Sequence, residues 1–260
     1  MQEELELQQA WFAARRFAAK SWAAWPAVLT SSLLLLANAV AVASPVVPQP
    51  FVATYAVTFR GLNGGTLRME FRPGDKAGQY IFETRANPSA LASFFVSKNA
   101  VERSVIEASP EGLRPVSWFA DDGKSGNEDD GKLQFDWAAQ RVTGESEGKP
   151  VALSTEPGMQ DRMSMQVAVM ASLLQGKEPG EIAMINDEHV RRYSYTRAGA
   201  AAMDTALGKV DTVIYESTRP NSNRLSRMWH APSLGYVPVR LEQVRKGKVE
   251  TVMTLVSVQR

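Results

Sequence analysis

Cysteine is absent from the 260-residue chain. The protein therefore has no disulfide, no thiolate metal ligand and no thiol nucleophile. A lipoprotein leader is excluded as well, because its lipid is carried on a cysteine.

The chain also lacks an excess of charge of either sign. Lysine and arginine number 29, and aspartate and glutamate number 28. Binding to nucleic acid depends on clustered positive charge, so no nucleic-acid partner is expected. The length is sufficient for one sizeable domain or two small ones.

Motifs that would identify a reaction are missing too. The two histidines, His189 and His230, lie on separate segments without the H-x-x-x-H spacing of a zinc site. Gly123-Lys124-Ser125 looks like the end of a phosphate-binding loop, but Trp118 occupies the position of the required glycine. No G-x-S-x-G elbow is present. We therefore predict a protein that is not an enzyme and binds no cofactor or metal.

Residues 121–131 form an acidic loop with three glycines. A calcium loop of the EF-hand type needs a glycine at position 6 and a glutamate at position 12. Placing Gly126 or Gly131 at position 6 puts Lys132 or Trp137 at position 12, so both registers fail. A solvated hairpin tip is favoured over a calcium site. The acidic residues are Asp121, Asp122, Glu128, Asp129 and Asp130.

The N-terminal region is typical of a secretory signal peptide. The apolar run 33–43 ends in Ala41-Val42-Ala43, and three basic residues precede it. A positive region, an apolar region and an A-x-A site together predict cleavage after Ala43. The alternative is an uncleaved anchor over residues 21–43, which polar residues and Pro26 weaken as a membrane span.

The predicted organisation is a signal peptide at 1–43, a linker at 44–50 and a single β domain at 51–260. The linker contains three prolines and reads as an extended segment. Export followed by cleavage predicts a periplasmic protein with no membrane span.

Most of the predicted domain shows the two-residue alternation of β-strands. Residues 51–59 alternate apolar and polar side chains, and about ten such segments follow at roughly ten-residue spacing. Asn63-Gly64-Gly65 predicts a turn, and residues 198–207 are expected to separate two strands. Pro238 cannot donate to a ladder, which predicts an edge or a bulge at that position.

One long helix is predicted at residues 161–175. Four apolar residues recur there at steps of four, three and four, and two more widen the stripe. Such a helix would be roughly 22 Å long and must bury its apolar face against the sheet. The predicted fold is mainly β, an antiparallel open or half barrel of about ten strands wrapped on a central helix. The stripe consists of Met163, Val167, Met170 and Leu174, widened by Val169 and Leu173.

Several local patterns, in this order and spacing, resemble the DUF3108 family of secreted bacterial proteins. The resemblance covers nearly all of residues 50–258 and implies an envelope protein without an assigned activity. It also implies an architecture similar to the lipoprotein-carrier folds, an incomplete antiparallel barrel with a helix against its concave face. The patterns are Phe51–Val57 with Gly61 and Gly65, Gly112–Pro115, Phe135–Trp137, Asp161–Gln166, Thr205–Gly208, Trp229–Pro232 and Tyr236–Arg240.

The expected function is non-catalytic binding of a lipid or another hydrophobic ligand between sheet and helix. Methionine and tryptophan suit an irregular apolar ligand. The alternative is a filled core, with the protein acting through an envelope protein partner. Four arginines are candidates for the rim of a pocket or simply face water: Arg191, Arg192, Arg240 and Arg245. The candidate ligand contacts are Trp118, Trp137, Met163, Val167, Met170, Leu174 and Trp229.

Overall fold

The structure is a computed structural model that describes residues 45–109, 111–126 and 130–260. The predicted signal peptide and its cleavage site after Ala43 lie outside the described residues. The described part of the linker, 45–50, has no regular secondary structure. Val47 nevertheless packs against the core, and Pro48 is buried.

Within these residues the chain forms fourteen β-strands, one α-helix and two short 3₁₀ turns. The helix, α1, spans Ser164–Leu174, and the 3₁₀ turns span Ala92–Phe94 and Pro232–Leu234. The strands are β1 (Phe51–Phe59), β2 (Leu62–Pro73), β3 (Gln79–Pro88), β4 (Val101–Ser109), β5 (Gly112–Asp121), β6 (Gly131–Asp136), β7 (Arg141–Ser146), β8 (Lys149–Ser154), β9 (Gly180–Asn186), β10 (His189–Thr205), β11 (Gly208–Thr218), β12 (Arg224–Ala231), β13 (Val237–Arg245) and β14 (Lys248–Gln259).

All fourteen strands belong to one antiparallel sheet, ordered β8-β7-β6-β5-β4-β3-β2-β1-β14-β13-β12-β11-β10-β9. The first and last strands pair, so the sheet is a meander joined through β1 and β14. The predicted fold class is confirmed: a mainly β protein, one open antiparallel sheet and one helix.

The predicted number of about ten strands is too low. The two edge strands, β8 and β9, lack a clear alternation of apolar and polar residues. β9 ends in five consecutive buried residues, a continuous pattern that periodicity alone cannot separate from other buried segments.

The two edges of the sheet are linked by the segment that leads from β8 to α1. Gln160 forms a parallel bridge with β9, donating its N–H to Ala183 O at 2.8 Å and accepting from the N–H of Ile185 at 2.8 Å. Lys149 of β8 pairs with Glu188, which follows β9, at 3.2 Å. The outer edge of β9 is thus partly covered, which limits pairing with another chain.

Two local predictions are wrong. The first turn lies at Arg60 and Gly61, whose φ angles are 49° and 83°, and Gly64 instead forms a bulge within β2. Residues 198–205 are not a connection but continue β10, which pairs with β11 down to Thr205. Long pairing with β11 outweighs the weak strand character of this alanine-rich stretch.

The predicted irregularity at Pro238 is confirmed. His230 pairs with Pro238 and Trp229 with Arg240, so Val239 is an extra residue in β13. The bulge leaves the carbonyl of Pro238 available, and the buried hydroxyl of Tyr55 donates to it at 2.8 Å.

The start of the helix is fixed by Asp161. Its Oδ1 accepts hydrogen bonds from the N–H groups of Met163 and Ser164, both at 2.7 Å. In return Ser164 Oγ accepts from the N–H of Asp161 at 2.9 Å. This reciprocal cap satisfies N–H groups that a helix end leaves open, and the regular helix begins three residues after the predicted start at residue 161.

The helix is buried on two sides. Met163, Val167 and Met170 pack into the main core, to which most of the strands contribute, whereas Val169 and Leu173 pack into a second cluster with strands β9–β12. The prediction of a single apolar face is therefore wrong. Leu174 is 36% exposed, because it is the last helical residue before an exposed loop.

Candidate functional site

A cavity of about 240 Å³ lies between the N-terminal half of α1 and the sheet. Its walls come from β2 and β3 on one side and from strands β9–β14 on the other. An enclosed apolar cavity of about 150 Å³ is large enough to hold benzene. The volume therefore fits part of an apolar chain or ring.

The cavity occupies the end of the sheet that the helix does not fill. On β13, Val237 and Val239 belong to the packed core, whereas residues 241–245 line the cavity. On β14, Leu255 is in the core and Met253 lines the cavity. Each strand is thus divided between a filled half and an open half.

Methionine dominates the apolar part of the lining. Six of the ten methionines in the chain face the cavity, and they come from five different elements. Flexible, polarisable methionine side chains adapt to irregular apolar ligands. These methionines are Met69, Met163, Met165, Met184, Met228 and Met253.

Two tyrosines of β10, Tyr193 and Tyr195, contribute hydroxyl groups to the wall. Burial raises the pKa of both phenols, so each remains neutral and able to donate a hydrogen bond.

The helix N-terminus adds a polar junction to the wall. Glu102 Oε1 accepts from Trp118 Nε1 at 2.8 Å and from Arg162 Nε at 3.1 Å, while the guanidinium of Arg162 lies 4.7 Å from the centre of the Trp118 ring. Nearby, Asp161 Oδ2 accepts from Ser104 Oγ at 2.6 Å. Desolvation raises the pKa of Asp161 to about 6, although hydrogen bonds from Ser104, Ser164 and Met163 oppose that rise.

The helix residues predicted to contact ligand fall in different places. Met163 lines the cavity, and Val167 is fully buried in the core. Met170 faces a separate void of about 10 Å³, the size of one water molecule. Leu174 lies at the surface.

The three predicted tryptophans do not converge on the cavity. Trp118 lies behind the wall as the partner of Glu102. Trp137 is at a different cleft of about 190 Å³, where its Nε1 donates to Pro115 O at 2.7 Å. Trp229 is nearly buried, with the guanidinium carbons of two arginines 5.6 and 5.9 Å from its ring centre.

Of the four predicted rim arginines, Arg245 lines the cavity mouth. Arg192 instead pairs with Glu156 at 2.9 Å, and Arg240 pairs with a glutamate of its own strand at 2.7 Å. Arg191 is buried. The sequence pattern missed five cavity methionines and two further mouth arginines, Arg219 and Arg224, because only the order of the strands in the sheet brings these distant segments together.

The acidic loop brings three carboxylates together outside the cavity. Ligand oxygens of Asp121, Asp122 and Asp130 lie within 4.8 Å of one another. Each accepts a main-chain N–H of the loop, at 2.6 to 2.9 Å. Residues 127–129, with two of the predicted acidic side chains, lie outside the described residues, so the solvated hairpin tip stays a prediction.

His230 is buried behind the cavity. Its Nδ1 hydrogen-bonds Tyr236 O at 2.8 Å, and Nε2 has no hydrogen-bond partner among the described residues. Burial lowers its pKa to about 4.

His189 lies near Glu188, 3.7 Å from a carboxylate oxygen.

A sequence model of the family described as "Protein of unknown function (DUF3108)" matches residues 54–254. The chain therefore belongs to the DUF3108 family. No curated protein matches the chain. No enzymatic family is indicated.

Within the described residues, no helix combines the length and apolar character needed to cross a membrane.

Solved structures show only distant likeness. A Bacteroides fragilis protein described as exported and YmcC-like in fold matches 83% of this chain and 100% of its own, at 11% identity and a TM-score of 0.33. A Parabacteroides distasonis protein described as a lipoprotein matches 83% and 99%, at 10% identity and a TM-score of 0.33. The Pseudomonas aeruginosa MucA/MucB complex matches 81% of this chain and 51% of that chain, at 11% identity and a TM-score of 0.30.

Proposed function

We propose that the protein is a non-catalytic periplasmic protein that holds the apolar part of a lipid or another hydrophobic envelope molecule. The binding site is the methionine-lined cavity between α1 and the sheet. The periplasmic location is supported by the signal-peptide pattern of residues 1–43.

The observation that carries the proposal is the lining of the cavity. Six methionines and two neutral tyrosines surround about 240 Å³ in a fold whose remaining core is packed. Ligand sites are usually apolar cavities with a small number of polar groups placed to orient the ligand. The accessible surface of this cavity is mostly apolar, and polar and charged residues, which make up more than half of its lining, can orient the polar end of a ligand.

Native mass spectrometry of the protein, purified from the cell envelope under mild conditions, tests the proposal. We expect a bound apolar molecule on the wild type. Met165→Trp should reduce its occupancy, because the larger ring would enter the cavity from the half-buried face of α1. Leu174→Trp is the matched control, since Leu174 is on the same helix but exposed.

The outcomes separate the location of a ligand from its existence. Equal occupancy in the two variants would place the ligand elsewhere and contradict the assignment of this cavity. A protein that carries no apolar molecule, and takes up no hydrophobic fluorophore, would contradict ligand binding altogether.

A second candidate function is contact with an envelope protein. The 3₁₀ segment between β3 and β4 exposes Phe94 by 80% and Leu91 by 55%. A photo-crosslinking residue in place of Phe94 should then capture one specific partner in cells. The same residue in place of Leu207, in the turn between β10 and β11, is the control, and equal capture at both positions would reject this function.

A further inference from the structure

Three arginines meet at the mouth of the cavity. Arg224 of β12 and Arg245 of β13 stand directly opposite each other in the sheet. Arg219, just after β11, lines the same mouth, and all three are half-buried. Burial lowers the pKa of Arg224, the positive charges of Arg245 and Arg219 lower it further, and the negative charge of Glu250 opposes that shift. The side chains are therefore close enough for like charges to repel one another.

Each carboxylate of the lining contacts at least one arginine. Glu102 pairs with Arg162 at 3.1 Å, and Glu250 pairs with Arg60 at 3.0 Å. The remaining one, Glu242, accepts from arginines of β12 and β13, at 3.4 and 2.7 Å. Glu250 also acts electrostatically on Arg224, so the lining as a whole has four arginines and three glutamates, and its positive charge is concentrated at the mouth.

One donor at the mouth is unsatisfied. The Nε atom of Arg219 is buried and has no hydrogen-bond partner among the described residues. A buried donor without an acceptor destabilises the protein, and an oxygen of a bound molecule would supply that acceptor. An anionic oxygen would also relieve the repulsion within the group.

We infer that the ligand is an anionic amphiphile, whose phosphate or carboxylate is bound by Arg219, Arg224 and Arg245 while its apolar chain enters the methionine-lined cavity. This inference rests on the proposed function. Arginine suits the role, because its planar fork of donors matches both oxyanions.

Isothermal titration calorimetry with four probes tests the inference: dodecyl phosphate, laurate, the uncharged dodecyl maltoside and inorganic phosphate. We expect the two anionic amphiphiles to bind more tightly than the maltoside by about tenfold or more, the ratio that one charge-assisted hydrogen bond supplies. Inorganic phosphate should bind weakly or not at all, because it has no chain.

The variant Arg219→Gln/Arg224→Gln should remove most of the advantage of the anionic amphiphiles and leave the affinity for the maltoside unchanged. Arg141→Gln, an exposed arginine at the start of β7 outside the lining, should change neither. Arg219→Lys/Arg224→Lys should recover part of the advantage, since it keeps the charge but not the fork. Thermal unfolding with each variant shows whether it is folded.

The results distinguish the two proposals. Equal binding of charged and uncharged amphiphiles to the folded wild type would contradict the inference that the head group is anionic, but would leave the proposal of a ligand-binding cavity intact. No binding of any chain would overturn both. If inorganic phosphate bound as tightly as dodecyl phosphate, the arginines would recognise the free anion. That result would contradict the inference that the ligand is an amphiphile.

Discussion

Two buried groups should give the stability of the protein opposite pH dependences that nearly cancel. Asp161 caps the helix and His230 lies behind the cavity, and burial pushes their pKa values in opposite directions. The wild type should then show a nearly flat free energy of unfolding between about pH 4 and about pH 7. Removing either group should reveal the pH dependence that the other group gives to the free energy of unfolding.

For Asp161 the folded protein holds the proton more tightly than the unfolded chain. Its pKa rises from 3.8 to about 6, so the folded state binds more protons in that interval and stability falls as the pH increases through it. With about 1.36 kcal/mol for each pKa unit, the loss is about 3 kcal/mol across the interval.

For His230 the sign is reversed. Burial lowers its pKa from 6.5 to about 4, so the unfolded chain binds more protons and stability rises with pH across that interval. The gain is about 3 kcal/mol by the same conversion. The two intervals overlap almost completely, which produces the cancellation.

Urea unfolding followed by tryptophan fluorescence, repeated between about pH 4 and about pH 7, measures both slopes. Asp161→Asn keeps the capping oxygen for the N–H groups of Met163 and Ser164, so the helix cap survives. Stability should then rise by about 2 to 3 kcal/mol over the range. In His230→Gln it should fall by a similar amount.

A wild type whose stability changes by more than about 2 kcal/mol over this range, with a slope that neither variant alters, would refute the assignment of the two groups. A flat profile in the wild type, Asp161→Asn and His230→Gln alike would show that neither group has a perturbed pKa. Lys76→Gln, an exposed change in the loop after β2, controls for a general effect of net charge.

The same unfolding measurement checks three further substitutions. Gly144→Ala should lower the free energy of unfolding by at least about 3 kcal/mol, because at the φ of 146° the new Cβ would lie 2.0 Å from a main-chain oxygen of β6. Gly148→Ala is the control: it has open space around it and should cost only about 1–2 kcal/mol. Met170→Ala should lower the free energy of unfolding by about 2–5 kcal/mol, because Met170 is buried. Leu174→Ala, on the exposed side of the helix, should lower it by less than about 1 kcal/mol. Similar losses in the two variants would contradict the packing of α1. Tyr55→Phe should lower the free energy of unfolding by about 1–3 kcal/mol, because it leaves a buried carbonyl of β13 without its donor. An unchanged free energy of unfolding would show that this hydrogen bond does not stabilise the protein.

Alternation and composition were sufficient to predict the class of fold. The strand at residues 51–59 shows a period of two because one face packs in the core. The helix start just after Asp161 follows from local chemistry, since a short acidic side chain can cap the N–H groups that come just after it. The bulge at Pro238 follows from its missing N–H.

The candidate site could not be predicted in the same way. Four of the six cavity methionines come from strands that the sequence spaces far apart, and only the order of the sheet brings them together. The mouth depends on register, because Arg224 and Arg245 are neighbours only through the pairing of β12 with β13. A shift of one residue in either strand would send one of these side chains to the other face.

The lengths of the elements explain why the cavity exists where it does. With 11 residues, α1 is about 16 Å long, whereas the 12 residues of β14 extend over about 40 Å. A single helix therefore covers only part of the inner face, and the strands continue past it to the turns that hold the mouth arginines. Filling the remaining space would need only larger side chains, yet the sheet presents flexible methionines there. A chain bound there would cover apolar side chains that now face the open cavity. Because such a ligand binds the folded protein and not the unfolded chain, its occupancy should raise the unfolding temperature of the wild type and leave that of Met165→Trp nearly unchanged.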